Sequence, residues 1–317
     1  MTRTAGPLRR RFREIFLDQP AAGERLALTR LTLGAAIIRT VWHLPPGAFF
    51  AEFSKLLEET QSPRRAGTRL SAAGYETLRA ATVLSVGAWA VGVEHPAVKV
   101  LANASYAALQ RHVVGFDREL WSFTGHLNAG LALLSFADTR GGVAERNPQL
   151  ASALLATAQA GYAMVYLQSG LAKFTGSGWR WLDGRTVRYS WGELGTAAGK
   201  RLALLPRPVA AAASVATVAF ELGFAPALAA SWRNRAAFGF ASMAFHAAVK
   251  ATMDISFWHF SWLAAPLFSA PPGLGRWVAD HVYKDRRIAA AAFALACLGH
   301  LHHTLNLGSE RVRTNHH

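Results

Sequence analysis

Lys173 is the basic residue of this chain whose surroundings most suggest chemistry. It follows Gln168-Ser169-Gly170 by about one helical turn at the end of an apolar run, and a glycine-rich turn with Trp179 and Trp181 comes after it. Such a lysine has two uses. At a helix end it meets the terminal carbonyls, with interfacial tryptophans below it. In a partly dry pocket, desolvation favours the neutral amine, the form that can take a proton. A second group is His246, Lys250 and Asp254, spaced i, i+4, i+8 and so within a stripe of about 80° on a helix. Phe257, Trp258, Phe260 and Trp262 follow as an aromatic wall that faces either a substrate or lipid. The plainer account of Lys250 and Asp254 is mutual neutralisation. A third group is His126 with Trp121 and Asn128, where the histidine can donate a hydrogen bond to a developing anion. Glu221 is an acid in a further apolar run, and a buried protonated acid can protonate an alkene or an epoxide. The expected chemical groups are therefore Lys173, His126, His246 and Asp254, with Glu221, Lys250, Phe257, Trp258, Trp179, Trp181 and Asn128 around the substrate.

The elements that hold these residues are long and apolar. The chain has 317 residues, 51% of them hydrophobic and 17% charged, yet a net charge of +15 from 34 Lys and Arg against 19 Asp and Glu. That excludes a disordered chain, and the single Cys297 excludes an internal disulfide framework. The basic residues do not interleave with aromatics as in a nucleic-acid surface. They bunch between apolar runs: Arg3 to Arg25, Lys55 to Arg69, Arg180 to Arg188, Lys200 to Arg207, Arg233 with Arg235, and Arg276 to Arg287. This is the pattern of cytoplasmic loops that orient membrane helices and meet anionic lipids. Mean hydropathy is only +0.15, because Ala replaces Leu in much of the chain.

Eight runs approach the ~20 residues that span hydrocarbon: 26–44, 77–93, 97–114, 120–137, 150–171, 208–230, 236–268 and 288–305. The second and third read as a hairpin split at His95-Pro96, and the seventh is long enough to require a break. No run alternates with period two, so the expected fold is all-α, a polytopic membrane bundle of about eight helices. Its parts are a basic cytoplasmic segment at 1–25, a transmembrane domain at 26–305 and a tail at 306–317 that holds His316 and His317. No cleavable signal peptide is expected. Cys297-x-x-His300-x-His302-His303 has no closed zinc spacing and no nearby carboxylate before Glu310, so no metal is expected.

The run Ser169-Gly170-Leu171-Ala172-Lys173 resembles the lysine motif of the vitamin K-dependent gamma-carboxylases and of the wider horizontally transferred transmembrane (HTTM) family of bacterial membrane proteins. The resemblance extends to Gly125-His126-Leu127, Phe245-His246 and Leu263 to Phe268, and to an opening helix with Arg30 and Gly34 in an Arg-x-x-x-Gly arrangement. It implies a multi-pass protein of a bacterial-type inner membrane. It implies Lys173 as the base for a reduced, vitamin K-like quinone, with His126 assisting an oxygenated or anionic intermediate and His246 lining the pocket. In that chemistry O2 turns the quinol into an alkoxide base and finally an epoxide; the alkoxide removes a proton from a substrate glutamate, and the resulting carbanion captures CO2. The chain ends about fifty residues after the last matched motif, so a propeptide-binding domain is not expected, and the lysine-to-tryptophan spacing is about one residue longer. The expected substrate is thus a membrane-borne isoprenoid or quinone. Two other readings stand beside it: a prenyl (terpene) cyclase started by Asp254 or Glu221 without any DDxxD or DxDD pattern, and a non-enzymatic subunit for peptide-toxin maturation. On the quinol reading, Lys173→Ala removes catalysis without disturbing expression or membrane insertion.

Overall fold

Ala- and Leu-rich runs without alternation favour helix over strand, and each of the eight apolar stretches contains one. The computed structural model describes residues 6–60, 70–116 and 124–314, and no strand occurs among them. Arg64, Arg65, Trp121, His316 and His317 lie outside the described residues. Two helical segments, Pro148–Asp183 and Arg207–Ala227, are long and apolar enough to cross a membrane. The break required in the seventh stretch falls at Asp254, whose φ of 57° ends the Trp232–Met253 helix, and the chain resumes as Trp258–Ala264. The chain divides into two compact units, Met1–Thr29 with Val143–Gly275, and Arg30–Gly142 with Arg276–His317.

The second unit rests on two arginines that serve each other's helices. Arg30, fully buried on the Ala22–Trp42 helix, donates through Nε to the Trp89 carbonyl (2.8 Å) at the end of the Ala72–Ala90 helix, and it pairs with Glu94. Arg79, equally buried on Ala72–Ala90, donates to the Val41 carbonyl (3.3 Å) near the end of Ala22–Trp42 and to Glu76 (3.0 Å). Each side chain thus adds a charged donor to a carbonyl at the other helix's end, where the Gly92 amide (3.0 Å, to Trp89) and the Leu44 amide (3.3 Å, to Val41) also donate. Gly34 makes the approach possible, because a Cβ there would stand 2.3 Å from Ala90 Cβ. The Arg-x-x-x-Gly arrangement is therefore a cap and a close contact, both parts of one helix pair. The Pro96–Val114 helix follows at the expected His95-Pro96 split, with His95 accepting from the Ala97 amide. Asn103 ties it to Ser135 of the Gly125–Ser135 helix (3.1 Å). In the loop beyond, Arg140 donates to both carboxylate oxygens of Asp138 (2.8 and 2.9 Å) and holds that carboxyl below its ordinary range.

In the first unit the Pro148–Ser177, Arg207–Ala227 and Trp232–Met253 helices pack together, and short helices at Arg185–Glu193 and Ala197–Ala203 connect the first two. Gly184, with φ of 81°, lets the chain turn against the first residues of Arg207–Ala227, where a Cβ would lie 2.3 Å from the Ala211 nitrogen.

Gly34→Ala overpacks the arginine-linked pair and should destabilise the protein by about 1–3 kcal/mol. Ala90→Gly removes the atom it strikes, so the double variant should be more stable than the sum of the two single changes in thermal unfolding.

Candidate functional site

Tyr162, Tyr166, Ser169, Gly170 and Lys173 recur at three- and four-residue intervals along the Pro148–Ser177 helix and so share one face. Gly170 lets the Arg207–Ala227 helix approach this face: a Cβ would stand 2.8 Å from Leu222 Cδ2 and 3.1 Å from Glu221 Cβ. The approach brings Glu221, 4% exposed, onto Lys173. Lys173 Nζ lies 2.7 Å from both carboxylate oxygens and 2.9 Å from Ser169 Oγ. The Ser169 hydroxyl in turn donates to Glu221 Oε1 (3.0 Å). Trp181 places its ring 5.2 Å from the ammonium, within cation–π range.

Nearer the helix N-terminus, the same face joins the Trp232–Met253 helix through hydroxyls. Tyr162 Oη donates to the Phe260 carbonyl (2.9 Å) and lies 2.7 Å from Ser242 Oγ. Ser242 Oγ is 2.6 Å from Tyr166 Oη, which is 2.6 Å from His246 Nε2. A carbonyl only accepts, so Tyr162 gives its proton to Phe260. Either atom can donate in the Tyr162–Ser242, Ser242–Tyr166 and Tyr162–Tyr166 (3.3 Å) contacts. In the arrangement where Ser242 gives to Tyr162 and Tyr166 gives to Ser242, His246 donates from Nε2–H. A second proton on the ring would bury a cation with no partner. In that arrangement His246 Nδ1 carries a lone pair, and the atom is buried with no hydrogen-bond partner among the described residues. The residue is 7% exposed. Phe260 stacks on its ring (5.3 Å, 26°), Phe257 and Phe245 stand at 5.3 and 5.2 Å, and Phe224 stacks on Tyr166 (4.9 Å, 4°).

The expected residues separate accordingly. Lys173, Glu221, Trp181, His246 and Phe257 belong to these two linked polar groups and their aromatic walls. The stripe of His246, Lys250 and Asp254 does not form one buried constellation. The helix ends before Asp254, which is exposed and pairs with the exposed Lys250. Asp254 thus leaves the expected stripe and forms a helix-end ion pair with Lys250, apart from the buried His246. Both acids on which cyclisation would depend are ion-paired. Trp179 is exposed and packs edge-on against Phe174 (5.2 Å), while Trp258 stacks edge-on against Trp262 (4.9 Å). His126 and Asn128 lie half-buried on Gly125–Ser135, in the other unit. Tyr162, Tyr166 and Ser242 were not expected at the site. Their signal was present as i, i+4 pairs, Tyr162 with Tyr166 and Ser242 with His246. Among the described residues no three His, Cys, Asp or Glu side chains converge as metal ligands would.

Comparison with protein-family models, with characterised proteins and with solved structures returns no match to this chain.

The ion pair revises what Lys173→Ala would do. Removing the ammonium strands Glu221 in a buried site, at a cost of about 3–5 kcal/mol. Lys173→Met should therefore lower the unfolding temperature on its own, and adding Glu221→Gln should recover most of the loss. Equal stability of the single variant and the unaltered protein would show that the pair is not formed.

Proposed function

We propose that the chain is a multi-pass helical protein of a bacterial-type inner membrane, with its N-terminus in the cytoplasm. In this reading it is an enzyme that takes the hydroxyl proton of a lipid-borne reduced quinone or a related isoprenoid alcohol. The membrane part is supported by the Arg207–Ala227 helix. A soluble protein's apolar helix is apolar because it is buried, yet only 28% of this helix's apolar stretch is buried inside the protein. Such a surface suits lipid.

The single observation that carries the chemistry is the buried Nδ1 of His246, without a partner among the described residues, while its Nε2 bonds Tyr166 on the helix that carries Lys173. A buried ring nitrogen without a partner is costly, and a ligand hydroxyl is a group that would satisfy it. A reduced quinone is an aromatic disc with a hydroxyl at each side, and Phe257 and Phe260 beside His246 are rings on which such a disc would stack. With Tyr162, Ser242 and Tyr166 each donating toward Phe260, His246 keeps Nδ1 as the acceptor. The Lys173–Glu221 pair takes up the proton: ammonium and carboxylate become ammonium and carboxylic acid, and the ammonium balances the oxyanion left behind. Ser169 holds both partners in register. When bound with O2, a reduced quinone supplies the strong base implied by the likeness of Ser169 to Lys173 to the gamma-carboxylase motif, and CO2 supplies the carbon for a coupled carboxylation. What this chain's own residues do is bind the hydroxyl, take its proton and exclude water, the last of which protects reactive oxygen species.

The purified chain is incubated separately with a reduced quinone under oxygen and with a prenyl diphosphate, and products are read by mass spectrometry. Oxygenated quinone is expected, with turnover reduced by about 10²–10⁴-fold in Lys173→Met/Glu221→Gln, the loss typical of a proton-transfer group. Retained turnover in that variant would remove the pair from the mechanism. A cyclised hydrocarbon would establish the cyclase instead, and no product from either substrate would favour a partner-binding subunit.

A further inference from the structure

The Pro148–Ser177 helix has 30 residues and is about 45 Å long, the distance between the two headgroup layers of a bilayer. Within the first unit each end of this helix carries a basic surface element with exposed apolar side chains. At its start, the Gln19 amide donates to Ser152 Oγ (3.0 Å) and fastens the Pro7–Phe16 helix nearby. That short helix turns Leu8, Phe12 and Phe16 outward at i, i+4, i+8, with Leu8 87% exposed, and interleaves them with Arg9, Arg10, Arg11 and Arg13. At the other end, Gly178–Arg207 holds six basic residues against two acidic ones. Asp183 is engaged with Arg185 and Arg207.

This second element is firmly fastened through its backbone. Arg188 donates to the Ala203 carbonyl (2.7 Å). The Thr196 hydroxyl and amide donate to the Ala251 and Thr252 carbonyls (2.6 and 3.0 Å) at the end of the Trp232–Met253 helix. Gly199 packs so closely that a Cβ would meet the Thr252 oxygen at 2.0 Å. What faces outward is consequently fixed in place: Trp179 and Leu204, 79% and 82% exposed, with Tyr189, Leu194 and the exposed Arg180, Lys200 and Arg201. Large apolar side chains beside cations, left uncovered on a rigid support, match the boundary between acyl chains and anionic headgroups.

We propose that these two elements are headgroup anchors, one for each leaflet, and that both bind anionic phospholipid. The proposal rests on the spanning reading above, and it places the basic residues of 180–207 at the leaflet opposite the N-terminus, in place of the cytoplasmic side expected from the sequence. The test uses the full chain in detergent, titrated with phosphatidylglycerol and with phosphatidylcholine, and counts bound lipid by native mass spectrometry. The unaltered protein should prefer phosphatidylglycerol, and the preference should fall as salt is raised. Each cation near an anionic surface contributes roughly fivefold. Arg180→Gln/Lys200→Gln/Arg201→Gln should therefore reduce the preference on the order of a hundredfold, and Arg9→Gln/Arg10→Gln by about twentyfold. All five side chains are exposed, and unchanged thermal unfolding confirms that folding is intact. Equal binding of the two lipids, or a preference that survives both sets of changes, would overturn the proposal. Extraction of the chain from its native membrane by alkaline carbonate is a separate outcome, and it would overturn the spanning reading itself.

Discussion

A lysine and a glutamate between apolar helices cannot each stand alone, and the need to compensate them organises the first unit. An unpaired charge in such a place costs several kcal/mol. Gly170 is the residue that lets the two helices close enough for Glu221 to reach Lys173, and Ser169 satisfies both partners at once. The result is a charged group that is neutral as a whole, 5% exposed at the carboxylate side chain, and set among apolar residues. A proton taken up by the carboxylate would leave the ammonium without its counter-charge, so the pair can accept one only where a new anion lies beside it.

The same economy governs the hydroxyl chain. Tyr162, Ser242 and Tyr166 form a buried run of hydroxyls between the Phe260 carbonyl and His246, and when each gives its one proton to the next acceptor toward Phe260, the ordering runs back to His246. Everything in that chain is satisfied except the far nitrogen of the imidazole. Buried polar networks are usually complete, so the one incomplete position is where a ligand would have most effect. In the second unit the corresponding demand is structural: Arg30 and Arg79 are spent on helix ends and neighbouring carboxylates.

Much of the helical layout was legible in the sequence, since long Ala- and Leu-rich runs admit few alternatives. The split at His95-Pro96 was marked by its proline, and Lys173 by its place one turn after Ser169-Gly170 at the end of an apolar run. Glu221 was visible as an acid in an apolar run, but its pairing with Lys173 spans 48 residues of chain and depends on Gly170, so spacing could not reveal it. The tyrosines and Ser242 were hidden for another reason. Hydroxyl residues in an apolar helix often bond their own backbone, and only tertiary packing turns them into a chain. The stripe from His246 to Asp254 was misread because its geometry assumed a helix that continues past Met253, whereas Asp254 adopts a left-handed conformation and leaves it. Lys250 then follows Asp254 outward.

In the proposed function His246 Nδ1 accepts from the substrate hydroxyl, and its protonation is directly observable. Nitrogen-15 NMR of histidine-labelled protein, with His246→Gln to assign the signal, reports which ring nitrogen bears the proton. The account predicts an Nε2–H ring with Nδ1 unprotonated, and a shift of the Nδ1 signal when a reduced quinone is added under anaerobic conditions. A ring protonated at Nδ1, or a signal that does not respond to the reduced quinone, would contradict it.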